Sequence, residues 1–335
     1  MFLSLNSLTI AKHIRSSAWL EHGPFVFWLM EILAPRAVVE LGTHNGFSFL
    51  TLCQSVKQMG IQSKIYAIDT WEGDEHAGFY SSDVFDALEK ELQKLYPGIG
   101  LMIRSTFDEA RSQFANGSID LLHIDGRHRY EDVVHDFHTW KDALSDKGIV
   151  LFHDTRVQRS DFGVWKFWSE IEGIYPSFEF FHGHGLGVLA IGKTVPSIVL
   201  DLCRASFEEK TFTREVYSQL GSRNSLEYAL NLSVATHQKT KSDLSEIIES
   251  CNKKKKDMAV QFDDLININN HMKRELSEKE KYFSLQLKKF TTELLHQENI
   301  NNSILSSTSW RLTAPYRYVG HHLRCLVAKL FAATR

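Results

Sequence analysis

The sequence predicts an α/β fold, a doubly wound and mostly parallel sheet of seven strands, followed by a long C-terminal coiled-coil helix. Short apolar runs alternate with segments whose apolar residues recur at helical spacing, which is the pattern of βαβ units. The last two runs have no helix between them and predict an antiparallel hairpin, and heptad repeats begin near residue 244. The predicted strands are Ala37–Leu41, Lys64–Ile68, Gly100–Ile103, Ile119–Ile124, Gly148–Phe152, Phe178–Phe181 and Gly187–Ile191.

Length and composition are those of an ordinary soluble protein. The 335 residues are 43% hydrophobic and 24% charged, and the net charge of −3 argues against a general nucleic-acid binder. The four cysteines are too scattered for a zinc site or a disulfide framework, which favours a reducing compartment such as the cytoplasm. The N-terminus lacks the pattern of a signal peptide, and no stretch reaches the ~18 apolar residues of a membrane span.

Residues 1–35 are predicted to form a helical cap with an aromatic face, interrupted at Gly23–Pro24. Trp19, Phe25 and Trp28 contribute to this face. The face either packs on the sheet or forms part of a lid over a substrate.

A glycine-containing turn follows the first strand and opens the next helix. The turn runs from Glu40 to Gly46, and the helix is predicted over Phe47–Met59. Glycines at such a turn let a ligand approach the backbone, and the helix N-terminus attracts negative charge. The spacing is GxxxG instead of GxGxxG, so the turn predicts a nucleotide-like ligand without a pyrophosphate.

Asp69 ends the second strand, where a carboxylate can accept hydrogen bonds from both hydroxyls of a ribose. A simple turn residue is the alternative, but the preceding glycine turn favours the ribose. The segment Glu72–Tyr80, which is rich in charged and aromatic residues, is predicted to form a loop over the site.

Two further acids end later strands. Asp125 follows the strand Ile119–Ile124, and Asp154 follows the strand that ends near Phe152. Because ligands bind at the carboxyl edge of such sheets, we expect Asp125, His128 and Asp154 to converge there. Two carboxylates suit a magnesium ion, and a neutral His128 suits a general base. The alternative, that the aspartates only cap the following helices, is less favoured for the pair than for one alone.

More histidines lie in the predicted final hairpin, in the segment His182-Gly-His-Gly185. The histidines are either metal ligands or members of a tight turn. The turn is the more common role of such a segment.

Five segments, in this order, resemble class I S-adenosylmethionine-dependent methyltransferases. They are VVELGTHNGFSF, IYAIDTWEGDEHAGFY, IDLLHIDGRHRYEDV, VLFHDT and DFGVWKFW, and the resemblance covers about residues 30–195. The branch they are most similar to contains the metal-dependent sugar O-methyltransferases of macrolide biosynthesis. The resemblance implies a Rossmann-like methyltransferase fold, S-adenosylmethionine as methyl donor and a divalent cation such as Mg²⁺.

The same resemblance implies roles for individual residues, with His128 as the catalytic base. The expected cofactor-binding residues are Glu40, Gly42, Thr43, Gly46 and Ser48 around the methionine part, Asp69 and Thr70 at the ribose, Ser105 and Thr106 beside the adenine, and Asp125. The expected metal positions are Asp125, Asp154 and Thr155. Many relatives have a second acid or an amide where this chain has Thr155.

The chain changes character after Val195. We predict a helical cap over 1–35, the methyltransferase domain over 36–195, a connecting segment over 196–240, a coiled coil over 241–300 and a basic amphipathic tail over 301–335. The heptad positions are Leu244, Cys251, Met258, Leu265 and Met272 on one row, and Ile248, Phe262, Leu276, Phe283 and Phe290 on the other. A coiled coil would join copies of the chain, and a single amphipathic helix folded back on the domain is the alternative.

The segment Ser307–Pro315 resembles tails on bacterial enzymes that build cell-surface polysaccharides. Beyond it, apolar residues interleave with Arg317, Arg324 and Lys329, as in a basic amphipathic helix. This tail either lies on the cytoplasmic face of the inner membrane or packs within a protein assembly.

The sequence therefore predicts an S-adenosylmethionine-dependent O-methyltransferase that acts on a sugar or glycan hydroxyl in bacterial surface polysaccharide biosynthesis. The alternative is a non-catalytic cofactor- or glycan-binding module that assembles a polysaccharide-synthesis complex through its coiled coil. A third hypothesis, an NAD-dependent oxidoreductase, is disfavoured because the GxGxxG pattern is missing.

Overall fold

The computed structural model describes residues 2–74, 78–79 and 81–332. The chain divides into two compact units, Met1–Lys239 and Thr240–Arg335. No helix within the described ranges combines the length and hydropathy needed to cross a bilayer.

The first unit is built on a seven-stranded sheet, which confirms the expected fold class. Along the sheet the strand order is β5-β2-β1-β6-β7-β9-β8. The first five of these strands are parallel, and β9 pairs antiparallel with both β7 and β8. The strands are β1 (Ala37–Leu41), β2 (Lys64–Asp69), β3 (Gly73–Asp74), β4 (Gly78–Phe79), β5 (Gly100–Arg104), β6 (Ile119–Ile124), β7 (Leu144–His153), β8 (Ser177–Phe180) and β9 (Leu186–Ala190), with β3 and β4 in a separate small hairpin.

Helices cover both faces of the sheet, because its central strands are apolar on both sides. Neighbouring residues of one strand point to opposite faces, so Val38 and Leu121 lie in one core cluster while Val39 and Leu122 lie in the other. The helices are α1 (Gly23–Leu33), α2 (Phe47–Met59), α3 (Asp83–Leu95), α4 (Phe107–Arg111), α5 (Tyr130–Trp140), α6 (Val164–Ile171), α7 (Ser197–Arg204), α8 (Phe207–Ser306), α9 (Thr308–Leu312) and α10 (Ala314–Ala332).

The N-terminal cap differs from the helical segment that we expected over residues 1–35. Only α1 is α-helical there, with short 3₁₀ turns at Leu5–Leu8 and Leu20–His22. Gly23–Pro24 opens α1 instead of interrupting a helix, because proline lacks the backbone N–H that the first turn leaves unpaired anyway.

The strand β7 begins earlier than the sequence suggested, and the helix before it is shorter. Apolar residues at helical spacing predict a helix over Tyr130–Leu144, but the α-helix ends at Trp140, and Leu144 already pairs with Ile119 of β6. The cause is a register shift between Ile119 and Leu121, which lets polar residues enter the start of the strand.

The segment 196–240 is helical although few apolar periods were visible in it. It contains α7 and the first part of α8, and the latter packs on the N-terminal cap. The Tyr217 hydroxyl donates to the Phe2 carbonyl at 2.9 Å, and the Asn224 amide donates to the Leu20 carbonyl at 2.9 Å. Polar contacts of this kind leave no apolar period in the sequence, so the helix was missed there.

The second unit contains the rest of α8, then α9 and α10. Large apolar side chains of the predicted heptad rows are exposed along α8, among them Leu265 at 63% and Phe262 at 65% exposure. In the tail, the Arg317 guanidinium lies over the Trp310 ring at 3.5 Å from its centroid. The side chains of residues 330–332 lie outside the description.

Candidate active site

A cavity of about 760 Å³ lies at the carboxyl edge of the sheet, where the sequence placed the site. Backbone hydrogen bonds join the strand ends there: Gly42 N–H donates to Ile68 at 3.0 Å, and Asp125 N–H donates to Leu41 at 2.9 Å. Of the expected site residues, those that line the cavity are Gly42, Thr43, Gly46, Ser48, Asp69, Thr70, Thr106, Asp125, His128 and Asp154. Glu40, Ser105 and Thr155 do not belong to this lining among the described residues.

The glycine turn is shaped by a close approach of two strand ends. Gly42 has a φ of +87°, and a Cβ atom there would lie 2.1 Å from the carbonyl oxygen of Asp125. Gly46, with a φ of +81°, is the N-cap of α2. Both positions therefore need glycine, and the turn leaves its backbone open to the cavity.

Asp69 holds the glycine turn in place in addition to facing the cavity. Its Oδ2 accepts hydrogen bonds from the N–H groups of Thr43 at 2.9 Å and His44 at 3.0 Å. Its Oδ1 accepts one from the Trp71 N–H at 2.8 Å. A carboxylate has about four acceptor positions, so at least one remains for a ligand hydroxyl.

Glu40 stabilises the glycine turn through a hydrogen bond with Thr43. Its carboxylate is fully buried, accepts a hydrogen bond from the Thr43 hydroxyl at 2.9 Å, and lies 3.0 Å from Nδ1 of His123. The sequence showed His123 only as a polar interruption of β6. Its partnership with Glu40 follows from the parallel pairing of β1 with β6, which places the two residues opposite one another.

Ser105 and Thr106 begin α4 at the end of β5. The Thr106 hydroxyl accepts from the Glu109 N–H at 3.4 Å, and the Ser105 hydroxyl donates to the Glu109 carboxylate at 3.1 Å. Thr106 lines the cavity and Ser105 does not. The expected loop Glu72–Tyr80 is described only in part, because residues 75–77 and 80 lie outside the described ranges; its Gly73 and Phe79 line the cavity.

Three of the expected site residues converge in the cavity: Asp125, His128 and Asp154. His128 Nε2 lies 2.6 Å from Asp154 Oδ2 and 3.7 Å from Asp125 Oδ1. One ligand atom from each of the three residues lies within 4.8 Å of the others, a spacing that a single divalent cation can bridge. The carboxylates fit Mg²⁺, and an imidazole among them also fits Mn²⁺, Co²⁺ or Zn²⁺.

Comparison with known proteins agrees with this geometry. Residues 39–155, which carry the glycine turn and all three convergent residues, match the profile of a family described as "Methyltransferase domain". This region is similar to a methyltransferase domain. The match confirms the expected class of enzyme for this region, a methyltransferase.

Individual relatives add detail. An uncharacterized protein, y4gI, of Sinorhizobium fredii is 46% identical over 188 residues, which are 56% of this chain and 21% of that protein. The chain thus spans about a fifth of the length of this curated relative. Among solved structures, the O-methyltransferase TomG of Streptomyces achromogenes, in complex with SAM, is 12% identical with a TM-score of 0.40 and 57% and 97% coverage of the two chains. A Geobacter sulfurreducens methyltransferase is 14% identical with a TM-score of 0.39, and 53% and 80% are covered.

The charges around His128 do not favour the neutral imidazole that the sequence analysis expected. Burial favours the neutral imidazole, but hydrogen bonds with Asp125 and Asp154 outweigh burial and raise the pKa of His128 to about 9. For both carboxyls, burial is likewise outweighed, chiefly by the charge of His153, so their pKa values lie well below the usual range. In this arrangement His128 is protonated at pH 7, because both carboxylates flank the same ring.

Two residues of the DFG segment fix the position of His128. The Phe162 ring stacks on the imidazole with centroids 4.7 Å apart, and the Gly163 N–H donates to the His128 carbonyl at 2.7 Å. A Cβ atom on Gly163 would lie 2.4 Å from the backbone of Tyr130. The sequence suggested the segment only as a family motif, and the structure gives its physical reason.

Other residues also line the cavity. His153 was not expected there, whereas His184 and Trp19 belong to segments for which a role at the site was one alternative; Ser16–Ala18 lie beside Trp19 in the lining. His184 Nδ1 lies 3.2 Å from Asp154 Oδ1, so one histidine of the HGHG segment does reach the acidic pair. The other, His182, packs against His22 at a centroid distance of 5.0 Å, and burial lowers its pKa to about 4. The segment is thus the β8–β9 turn and also contributes to the site.

Thr155, an expected metal position, is 3% exposed and is not among the described residues that line the cavity. A Cβ atom on Gly185 would lie 2.5 Å from its hydroxyl, so this hydroxyl packs against the β8–β9 turn. The imidazole of the preceding residue, His153, faces the cavity instead.

Proposed function

We propose that this protein transfers a methyl group from S-adenosylmethionine to a sugar hydroxyl, in the synthesis of a bacterial surface polysaccharide. The observation that carries the proposal is a shared cavity, which is lined both by the glycine turn with Asp69 and by Asp125, His128 and Asp154. A methyl donor held by the first group and a hydroxyl held by the second would be adjacent. Alignment of two reactants accounts for most of what such an enzyme must do.

The reaction forms a bond between the acceptor oxygen and the methyl carbon and breaks the bond between that carbon and the donor sulfur. The acceptor proton would pass to His128 once its Nε2 is released from Asp154, to which Nε2 lies 2.6 Å in this structure. Phe162 and Gly163 hold the imidazole in place. Asp125 and Asp154 would hold a divalent cation, whose positive charge would acidify the hydroxyl and favour the neutral form of the imidazole.

Support for a sugar acceptor comes from the motifs, which resemble sugar O-methyltransferases, and from the tail segment Ser307–Pro315. Residues that can bind polar groups also lie on the cavity wall, including Arg127, Arg159 and His184. A glycan with several hydroxyls fits such a lining better than a flat apolar acceptor does.

Titration of the full chain with S-adenosylmethionine and with NAD⁺ tests the cofactor half of the proposal. We expect saturable heat with S-adenosylmethionine and none with NAD⁺, because the turn lacks the glycines that approach a pyrophosphate. The acceptor half is tested by mass spectrometry of surface glycan from a deletion strain of the source bacterium, which should lack one methyl group. Cofactor binding with an unaltered glycan would favour the non-catalytic module, and NAD⁺ binding alone would contradict the proposal.

We also propose that residues 241–300 join copies of this chain as a coiled coil. Both heptad rows lie on α8 with large apolar side chains exposed, and a second copy of the same helix is the partner whose rows match them in spacing. The interrupting residues Lys255, Asn269 and Lys279 would fix the register.

The double variant Phe262→Asp and Leu265→Asp should therefore lower the oligomeric state of the full chain, as measured by light scattering. Val260→Asp is the matched control, since Val260 is 62% exposed on the same helix but lies outside both rows. Deletion of residues 241–335 should give a monomer that still binds S-adenosylmethionine. An unchanged oligomeric state in both altered chains would show that the coiled coil does not join copies.

A further inference from the structure

Asp125 and Asp154 are surrounded by more imidazoles than a base and its carboxylates require. His153 is 2% exposed, and its Nδ1 lies 3.2 Å from Asp125 Oδ1 and 3.5 Å from Asp154 Oδ1. Its Nδ1 therefore lies near both acids. His128 approaches Asp154 through Oδ2, the other oxygen of that carboxylate.

The second ring nitrogen of His153 determines which proton the ring carries. His153 Nε2 lies 3.0 Å from the carbonyl oxygen of Gly183. A carbonyl only accepts hydrogen bonds, so Nε2 bears a hydrogen, and Nδ1 is the nitrogen that faces the two carboxylates. The two carboxylates and Nδ1 can lie this close only with a positive charge between them, either a proton on Nδ1 or a bound cation that takes its place. An imidazole that donates one N–H to a backbone carbonyl and turns its other nitrogen to a cation is the usual arrangement of a metal-binding histidine.

The β8–β9 turn presents the Gly183 carbonyl to two histidine rings. Gly183 has a φ of +55° in the β8–β9 turn, and its carbonyl also lies 3.0 Å from Nε2 of His22. A carbonyl oxygen can accept two hydrogen bonds, so it can receive N–H groups from His22 and His153 together. The HGHG segment thus orients His153 through its backbone.

We propose that His153 is a ligand, with Asp125 and Asp154, of a divalent cation that accepts imidazole nitrogen, such as Mn²⁺ or Co²⁺, in preference to Mg²⁺. Thr155, which follows Asp154 and was the expected metal position, does not line the cavity. His153, which precedes Asp154, lines it and offers the ligand nitrogen. Mg²⁺ favours oxygen ligands and retains its water, whereas Mn²⁺ and Co²⁺ accept a mixed set of nitrogen and oxygen. The inference rests on the proposed function only in placing the ion beside the acceptor hydroxyl. Ion binding itself can be measured without any methyl donor.

Calorimetric titration of the full chain with Co²⁺ and with Mg²⁺ measures this preference. We expect tighter binding of Co²⁺, and His153→Ala should weaken Co²⁺ binding by more than about 100-fold, while Mg²⁺ binding changes by less than about tenfold. His135→Ala is the matched control, since His135 is exposed on α5 and pairs with Asp108 outside the cavity lining. His153→Asp replaces the nitrogen by oxygen, so it should shift the preference toward Mg²⁺.

Electron spin-echo spectroscopy of the Mn²⁺-loaded protein identifies the ligand without any activity assay. The nitrogen coupling of a bound imidazole should be present in the wild type and in His128→Ala, and absent in His153→Ala and His153→Asp. Circular dichroism shows whether each variant is folded, and His153→Asp serves if the alanine variant is not. A coupling that persists without His153, a coupling lost with His128, or a preference for Mg²⁺ would each overturn the proposal. If S-adenosylmethionine binds but no ion does, this inference fails and the proposed function stands.

Discussion

Replacement of His128 by alanine is expected to lower turnover by about 10²–10⁴-fold, the usual effect of losing a general base, while the affinity for S-adenosylmethionine stays nearly unchanged. The imidazole stacks on Phe162, lies 2.6 Å from Asp154 and lines the cavity. It is not one of the residues proposed to bind the methyl donor, so its loss should spare cofactor affinity. Methyl transfer to an acceptor glycan and cofactor titration measure the two quantities separately.

His138→Ala is the control for this experiment, because His138 is an exposed histidine of the helix α5 that follows His128. It should retain wild-type turnover. Asp125→Asn and Asp154→Asn should also lose activity, and an excess of the preferred ion should restore part of it if their role is ligation. Full turnover in the His128 variant would eliminate it as the base, and full activity after exhaustive chelation would leave it acting without a metal.

The strand ends were predictable because parallel strands bring their carboxyl ends to one edge. Asp69, Asp125 and Asp154 each follow an apolar run, so their position on the cavity could be inferred from order alone. The bounds of β1, α2 and β6 agree with the sequence pattern to the residue, since each is a strongly apolar or amphipathic run that ends at glycine or aspartate.

Contacts across the fold were not predictable, because no local pattern records them. His153 looked like the end of a strand, and only the β7–β9 pairing brings the Gly183 carbonyl to its ring. The role of Thr155 was carried over from a resemblance, and the turn at Asp154, whose φ is +60°, directs successive side chains to different sides. The raised pKa of His128 depends on the distance to two acids, which a sequence does not contain.

Asp69→Ala is expected to weaken S-adenosylmethionine binding by at least about 100-fold. The carboxylate can accept hydrogen bonds from ribose hydroxyls, each worth about 1.5–3 kcal/mol when one partner is charged. Three backbone N–H groups, those of Thr43, His44 and Trp71, also donate to this side chain. Loss of these partners should lower the free energy of unfolding by about 1–3 kcal/mol.

The two effects can be separated by titrating well below the melting temperature, where the variant is folded, and by following thermal unfolding on the same samples. Glu89→Ala removes an exposed acid of α3 that does not line the cavity and should change neither quantity. Asp69→Asn keeps one carbonyl oxygen for the turn, so it should recover more stability than affinity, because its amide group cannot accept from a second hydroxyl. If Asp69→Ala melts earlier yet binds S-adenosylmethionine like the wild type, Asp69 serves the glycine turn alone and the ribose must be held elsewhere.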